Sequence, residues 1–143
     1  MDFTDAQRAF LEKSHGAAMI TLRPDGTPHA VRVGVALVDG KLWSSGVPGR
    51  VRTKHLRRDP RATLFVWEAG YGALTIEART KILDGADAAE LNLRLFQVMQ
   101  SNRPDPSSLS WFGKTLTFED FLEVMRAEQR LIYEFAPLRA YGV

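Results

Sequence analysis

Between Arg50 and Arg58 the chain carries five cations in nine residues, Arg50, Arg52, Lys54, Arg57 and Arg58, bracketed by Pro48-Gly49 and Asp59-Pro60. Such a cluster can hold a phosphate. Upstream, Leu42-Trp43-Ser44-Ser45-Gly46-Val47 has strand character, Pro48-Gly49 turns the chain, and Asp59-Pro60 stops the short helical run that follows. A helix start offers free N–H groups and the positive end of a dipole to an anion. With Arg50 and Lys54 at i and i+4, and Arg57 or Arg58 a turn further, several cations are expected on one face, converging on one spot. Two other readings stand beside this one: a solvated helix face, and a patch that neutralises a nucleic-acid backbone. Composition weighs against nucleic acid, because 19 Lys and Arg stand against 17 Asp and Glu, a net charge of +2, and the basic residues are concentrated rather than spread. A small phosphorylated ligand fits better.

Other chemistries have less support. Cysteine is absent, so there is no disulfide framework, thiolate nucleophile or Cys-held metal. His15, His29 and His55 have no metal-ligand spacing, and no metal site is expected. No G-x-S-x-G elbow occurs, and no Ser/His/Asp grouping can be assembled locally. Glu119, Asp120 and Glu123 fall in or near the first turn of a helix, where carboxylates complement the dipole rather than form an acid–base pair. Trp67, Tyr71 and Trp111 are candidates to stack on a ring or a substrate, although buried aromatics more often serve a core.

The elements that must position the basic run can be read from pattern. At 143 residues and 45% hydrophobic, the chain is expected to form one domain, 1–143, with a proper core. It lacks the signature of a signal peptide, and no window approaches the ~20 apolar residues of a membrane span, so a cytoplasmic protein without a membrane partner is expected. Thr4-Asp5-Ala6-Gln7 is a capping box that opens a helix through about Ser14, with Ala6, Phe10 and Leu11 turned inward. A hairpin follows: a strand from about Ala17 to Arg23, the turn Pro24-Asp25-Gly26-Thr27, and a return from His29 to Val38 in which Val31, Val33, Val35 and Leu37 alternate. A third strand, Lys41 to Val47, feeds the basic helix.

Beyond the helix, Ala62 to Trp67 reads as a nearly continuous buried strand. From Ala73 to Leu83, Leu74, Ile76, Ala78 and Ile82 alternate with Thr75, Glu77, Arg79 and Lys81, which gives one wet face. A helix from about Ala86 to Gln100 carries Leu91, Leu95 and Val98 or Met99 at helical spacing, and the Pro- and Ser-rich Asn102 to Ser110 reads as a loop. Thr117-Phe118-Glu119-Asp120 opens a helix through about Ala127, and Leu131–Phe135 and Arg139–Val143 read as closing strands. Six or seven mostly antiparallel strands with helices at the connections predict an α+β protein built on a small closed or partly closed β-barrel, and the lack of a glycine-rich dinucleotide fingerprint disfavours a Rossmann domain.

In this order the segments resemble the split β-barrel family of pyridoxamine-phosphate-oxidase-like proteins, in particular its flavin/deazaflavin oxidoreductases that use coenzyme F420. The resemblance spans nearly the whole chain. It rests on Met19-Ile20-Thr21-Leu22-Arg23-Pro24-Asp25-Gly26-Thr27-Pro28-His29, the valine-rich strand to Leu37, the run Arg50 to Leu56 continuing as Arg57-Arg58-Asp59-Pro60-Arg61, and the terminal Tyr141-Gly142. It implies an antiparallel Greek-key split barrel of the FMN-binding-protein type. Arg50 and Arg52 would hold the phosphate of a deazaflavin or flavin tail, with Val51, Thr53 and Lys54 in the same segment. His29, Val31, Val33 and Gly34, and Ser44, Ser45 and Gly46 on the next strand, would line the ring. A position without Cβ, such as Gly34, permits close approach of a flat ring, although Gly34 also reads as a simple bulge. The chain departs from the family pattern at Arg52, where Lys is commoner, and at His55, where Asn is commoner. Arg keeps the charge and adds a planar fork.

The resemblance further implies that the cofactor carries the reaction, a hydride passing from reduced coenzyme F420 to a conjugated small-molecule acceptor, with a proton from solvent or from His29 or Arg32. An FMN enzyme of the same fold and a non-catalytic flavin or deazaflavin carrier are the alternatives. A homodimer with the cofactor cleft between subunits is the expected assembly, with Tyr141 near the partner's site.

Overall fold

The computed structural model describes residues 1–142. Thr4 opens helix α1 (Asp5–Lys13): its Oγ1 accepts from the Gln7 N–H, and the Gln7 side chain accepts from the Thr4 N–H. Phe10 and Leu11 are buried as expected, but Ala6 is exposed and Gln7 takes the inner position, because the reciprocal cap folds the glutamine back under the first turn. Seven strands then form one antiparallel sheet: β1 (Gly16–Leu22), β2 (Pro28–Gly34), β3 (Ala36–Val38), β4 (Lys41–Gly46), β5 (Arg61–Trp67), β6 (Ala73–Leu83) and β9 (Leu131–Gly142). Helix α2 (Val51–Arg58) joins β4 to β5. Helix α3 (Ala88–Met99), a separate hairpin of β7 (Ser108–Trp111) and β8 (Lys114–Thr117), and helix α4 (Phe118–Ala127) lie between β6 and β9.

The strand order is β2-β1-β5-β6-β9-β4-β3. Its two edges, β2 and β3, are successive pieces of one chain run parted by Val35 alone, so the sheet must curl until its edges meet. The expected single strand from His29 to Val38 is therefore two strands. At the break, Val35 N–H donates to the His15 carbonyl at 2.8 Å, and the Ser44 hydroxyl donates to the Gly34 carbonyl at 2.7 Å. The result is the α+β, partly closed barrel that the pattern predicts and the split barrel that the resemblance implies.

Inside it, Met19, Leu64, Leu74, Ile76, Leu42, Tyr133 and Phe135 are fully buried with Leu11 of α1. Helix α3 covers Ala36, Val38, Trp43 and Ile132 through Leu95, and α4 packs Phe121 and Met125 against the β7–β8 hairpin.

Three expectations are corrected. Strand β5 is not continuously buried: it alternates, and Phe65 is 40% exposed on the outer face, because its apolar run serves two surfaces of the sheet. The loop expected through Ser110 ends earlier, since Ser108 begins the β7–β8 hairpin around Phe112 and Gly113, both with positive φ (48° and 79°). That is the backbone of a twisted two-residue turn, with phenylalanine in the place usually held by Asn or Gly. The two closing strands are one, β9, whose register against β6 passes from Pro137 to Arg139 and leaves Leu138 bulged outward. The expected end of that strand at Val143 lies outside the described residues.

Candidate cofactor-binding cleft

Strand β4 ends at Gly46, and the chain turns through Val47-Pro48-Gly49 into α2, whose N-cap is Arg50. Thr53 and Lys54 N–H groups both donate to the Arg50 carbonyl, which leaves the first-turn N–H groups of Val51 and Arg52 without helical partners. The turn is held by Thr53, fully buried, whose hydroxyl donates to the Val47 carbonyl at 2.7 Å and receives the Tyr133 hydroxyl. Tyr133 reaches it only because residue 46 is glycine: a Cβ there would stand 2.3 Å from the phenol ring. Tyr133 in turn lies under the Arg52 guanidinium, 5.9 Å from ring centroid to Cζ.

This turn forms one wall of a cleft of about 370 Å³. Arg32, Val33 and Gly34 of β2 and Ser44 and Ser45 of β4 line it, with Arg50 and Arg52 at the start of α2. The opposite wall is Phe96 and Met99 of α3, Ser110, Trp111 and Phe112 of the β7–β8 hairpin, and Arg130 just before β9. Trp111 is fixed by Phe96 and Phe121 at 5.4 and 5.6 Å, and the Arg130 guanidinium stands 5.0 Å from its ring. Phe112, 85% exposed, overhangs the mouth.

Four arginines thus line one cavity, with the Arg32 guanidinium lying over Trp67 at its edge. Arg130 is already paired with Glu128 at 2.8 Å. Among the described residues no carboxylate lies within 4.0 Å of Arg32, Arg50 or Arg52. Burial pulls the Arg52 pKa below its ordinary value; Tyr133 draws it back up, and the neighbouring positive charges of Arg50 and Arg130 add lesser downward pushes. Its Nε is buried and has no hydrogen-bond partner among the described residues. A half-buried, repelled and underbonded guanidinium is a poor structural device and a good anion receptor, so the residues present fit a phosphate.

Of the residues singled out from sequence, the cleft gathers Arg32, Val33, Gly34, Ser44, Ser45, Arg50, Arg52 and Trp111. His29, Val31, Gly46, Val51, Thr53 and Lys54 stand outside its lining. The expected shared face of α2 does not form: Arg50 is the cap rather than a helical residue, Lys54 points to solvent, Arg57 pairs with Asp84 at 3.1 Å, and Arg58 donates to the Leu22 carbonyl. Gly34 is open toward the cleft, but a Cβ there would stand 2.9 Å from the Met99 sulfur, so its bareness seats Met99. Trp67 packs beside Gly16 under the Arg32 guanidinium at 5.7 Å, and Tyr71 is fully in solvent. Phe96, Met99, Ser110, Phe112 and Arg130 were not anticipated. Arg130 reaches the site through the pairing of Gly46 with Leu131, which local sequence does not announce.

His29 and His55 meet edge to face, 5.2 Å between centroids, on the far side of α2, where His55 Nδ1 pairs with the Thr21 hydroxyl at 2.9 Å. Burial, then His29 and the guanidinia of Arg58 and Arg23, hold the His55 imidazole below its ordinary pKa. In the unfolded chain the ring takes its proton near pH 6.5, before the folded one does, so the unfolded state binds more protons and stability falls as pH drops below about 6.5. Thermal melts between about pH 7 and pH 5 should show this loss, and His55→Gln should flatten it; an unchanged slope in the variant would assign the acid sensitivity to other groups.

A curled antiparallel sheet with a cationic, aromatic-walled cleft beside its first sheet-connecting helix defines a split-barrel fold with a candidate anion site. Residues 3–120 match the family described as pyridoxamine 5'-phosphate oxidase, and the chain belongs to that family. No curated protein matches this chain. Solved structures share the fold at low identity. A conserved hypothetical protein from Mycobacterium tuberculosis is 20% identical, with a TM-score of 0.72 over 98% of this chain and 84% of that one. An F420 reductase is 17% identical, with a TM-score of 0.70 over 97% and 98%. An FAD-binding protein from Mesorhizobium loti is 16% identical, with a TM-score of 0.63 over 98% and 94%. Among the described residues no helix is long and apolar enough to cross a membrane.

Proposed function

We propose that this protein is an oxidoreductase that holds the phosphate of a deazaflavin, coenzyme F420, against Arg50 and Arg52. The observation that carries this reading is the unpaired, half-buried Arg52 beside Arg50 in a cleft with aromatic walls. When bound, the coenzyme would supply a hydride to a conjugated small-molecule acceptor. The chain's own part is to bind, orient and shield. The Arg50 and Arg52 guanidinia meet the phosphate, the β2–β4 backbone near Gly34 and Ser45 forms the floor, and Trp111 and Phe112 exclude water.

Proton chemistry is nearly absent from the lining. The Arg32 side chain has no acceptor atom, and His29 stands outside the cleft beside His55. The Ser44 hydroxyl is committed to the Gly34 carbonyl and that of Ser45 to the Asn92 Oδ1 at 2.5 Å. Such a cleft suits transfer from a bound redox molecule better than hydrolysis or general acid–base work, and the proton comes from solvent. The family includes oxidases, and one relative is named as binding FAD, so FMN is the second reading. Fluorescence titration with each cofactor separates them: tighter binding of the deazaflavin is expected, and a preference for FMN overturns the choice of coenzyme.

We also propose a homodimer that closes the cleft. Register places Arg32, Ala18, Phe65, Thr75 and Tyr141 in one row across the outer faces of β2, β1, β5, β6 and β9. Phe65 and Tyr141 are 40% and 49% exposed, and the row runs from the cleft mouth at Arg32. A second copy seated there would cover both the apolar patch and the open side of the cleft. Light scattering should give twice the mass of one chain, and Phe65→Asp should return it to a monomer; a monomeric parent protein refutes the dimer.

A further inference from the structure

Resting on the cofactor reading above, we propose that Phe112, at the tip of the β7–β8 hairpin, is the side chain on which the flat ring of the cleft's ligand stacks. Trp111 pairs with Lys114, so Phe112 and Gly113 are the two loop residues of that hairpin, with φ of 48° and 79°. The chain holds its own comparison. Val38 pairs with Lys41, and the two residues between them, Asp39 and Gly40, have φ of 51° and 79°. The two turns share one left-handed geometry, and only the first has the Asp-Gly that such turns favour. Among the described residues three that are not glycine have positive φ, Asp39, Phe112 and Gln129, and Phe112 alone is apolar. A bulky side chain is strained there, and strain that a fold retains gathers at ligand sites. Folding gains little from this phenylalanine, since it is 85% exposed. Its ring instead lines the cleft, edge to face with Trp111 at 4.8 Å between centroids and 86° between planes. Trp111 is held from behind by Phe96 and Phe121, which leaves Phe112 as the uncovered member of the pair. With the two planes nearly perpendicular, a flat molecule lying parallel to Phe112 meets Trp111 edge to face, and both arrangements are favourable. The phosphate's guanidinia come from the start of α2, a different element, so Phe112 contributes to the ring and not to the phosphate. It therefore adds affinity for flavin and deazaflavin alike.

The test sets the parent protein beside Phe112→Asn, whose side chain suits the turn, and Phe112→Tyr, which keeps the ring. Each is titrated by fluorescence with FMN, riboflavin and coenzyme F420, and melted without ligand. Phe112→Asn should bind all three about three- to tenfold more weakly, the worth of one stacked ring, with the ratio of FMN to riboflavin affinity within about twofold of the parent's. Phe112→Tyr should stay within about twofold of the parent for each. Ligand-free Phe112→Asn should melt at or above the parent temperature, because the turn is relieved of strain. Four results overturn the inference. Unchanged affinities in Phe112→Asn deny the ring contact, and a loss confined to the phosphate-bearing ligands moves Phe112 to the phosphate site. A lower melting temperature makes Phe112 a packing residue of the hairpin, and a lower mass than the parent's by light scattering assigns it to a subunit interface. A parent protein that takes up none of the three ligands refutes the cofactor reading and this inference together, and that result is seen before any variant is compared.

Discussion

Arg52→Ala should weaken binding of a phosphate-bearing flavin or deazaflavin by about 1.5–3 kcal/mol, roughly 10- to 150-fold, the worth of one or two charge-assisted hydrogen bonds. The same change should leave the ligand-free protein about as stable as before. Arg52 sits half-buried beside Arg50 and Arg130, with an underbonded Nε, so removing it relieves repulsion and desolvation while losing its contact with the Tyr133 ring. A function-for-stability exchange of this kind separates a binding residue from a structural one. Arg52→Lys keeps the charge without the fork and should fall between the two. Titration and melting of the same three proteins check the claim, and a variant that melts early but binds normally contradicts it.

Gly46→Ala should have the largest effect on the fold. Its Cβ would stand 2.3 Å from the ring of Tyr133, which is fully buried in the barrel core and has no space to retreat. Overpacking of this severity costs about 3 kcal/mol or more, about 6–12 °C in a domain of this size. The damage is directed as well as general. Tyr133 holds Thr53, and Thr53 holds the Val47 carbonyl, so the turn that aims Arg50 and Arg52 loses its support. Tyr133→Phe, which keeps the ring and drops the hydroxyl, should cost only about 1 kcal/mol. If Gly46→Ala melts like the parent, the close approach of ring and backbone is not what shapes this turn.

Local patterns reached the elements and the basic run that brings Arg50 and Arg52 to the site, while Val33, Gly34, Ser44 and Ser45 were expected from the family resemblance alone. The Thr4 capping box, the alternation of β6 and the stop at Asp59-Pro60 all depend on neighbours in sequence and formed as expected, whereas the second capping box expected at Thr117 formed only its N-cap half, Thr117 accepting from the Asp120 N–H. The β7–β8 hairpin escaped because its turn uses Phe112, which gives no turn signal, after a stretch rich in Pro and Ser. Helical spacing misdirected the cations. It put Lys54 and Arg57 or Arg58 with Arg50 on one face, yet Arg57 and Arg58 were drawn to Asp84 and Leu22 across the fold, and the cations joining Arg50 and Arg52 came from β2 and from the start of β9. Closure of the sheet, which brings Arg32 and Arg130 to α2, is a property of strand order, and no local window contains it.

The central claim is that the guanidinia at the start of α2 are aimed at a phosphate. It is tested most directly by the affinity difference between FMN and riboflavin, which share a ring and differ by that one group. FMN should bind at least about 100-fold more tightly than riboflavin, and the gap should close in the Arg50→Ala, Arg52→Ala double variant. Equal affinities in the parent protein, or a gap that survives in the double variant, would contradict the account.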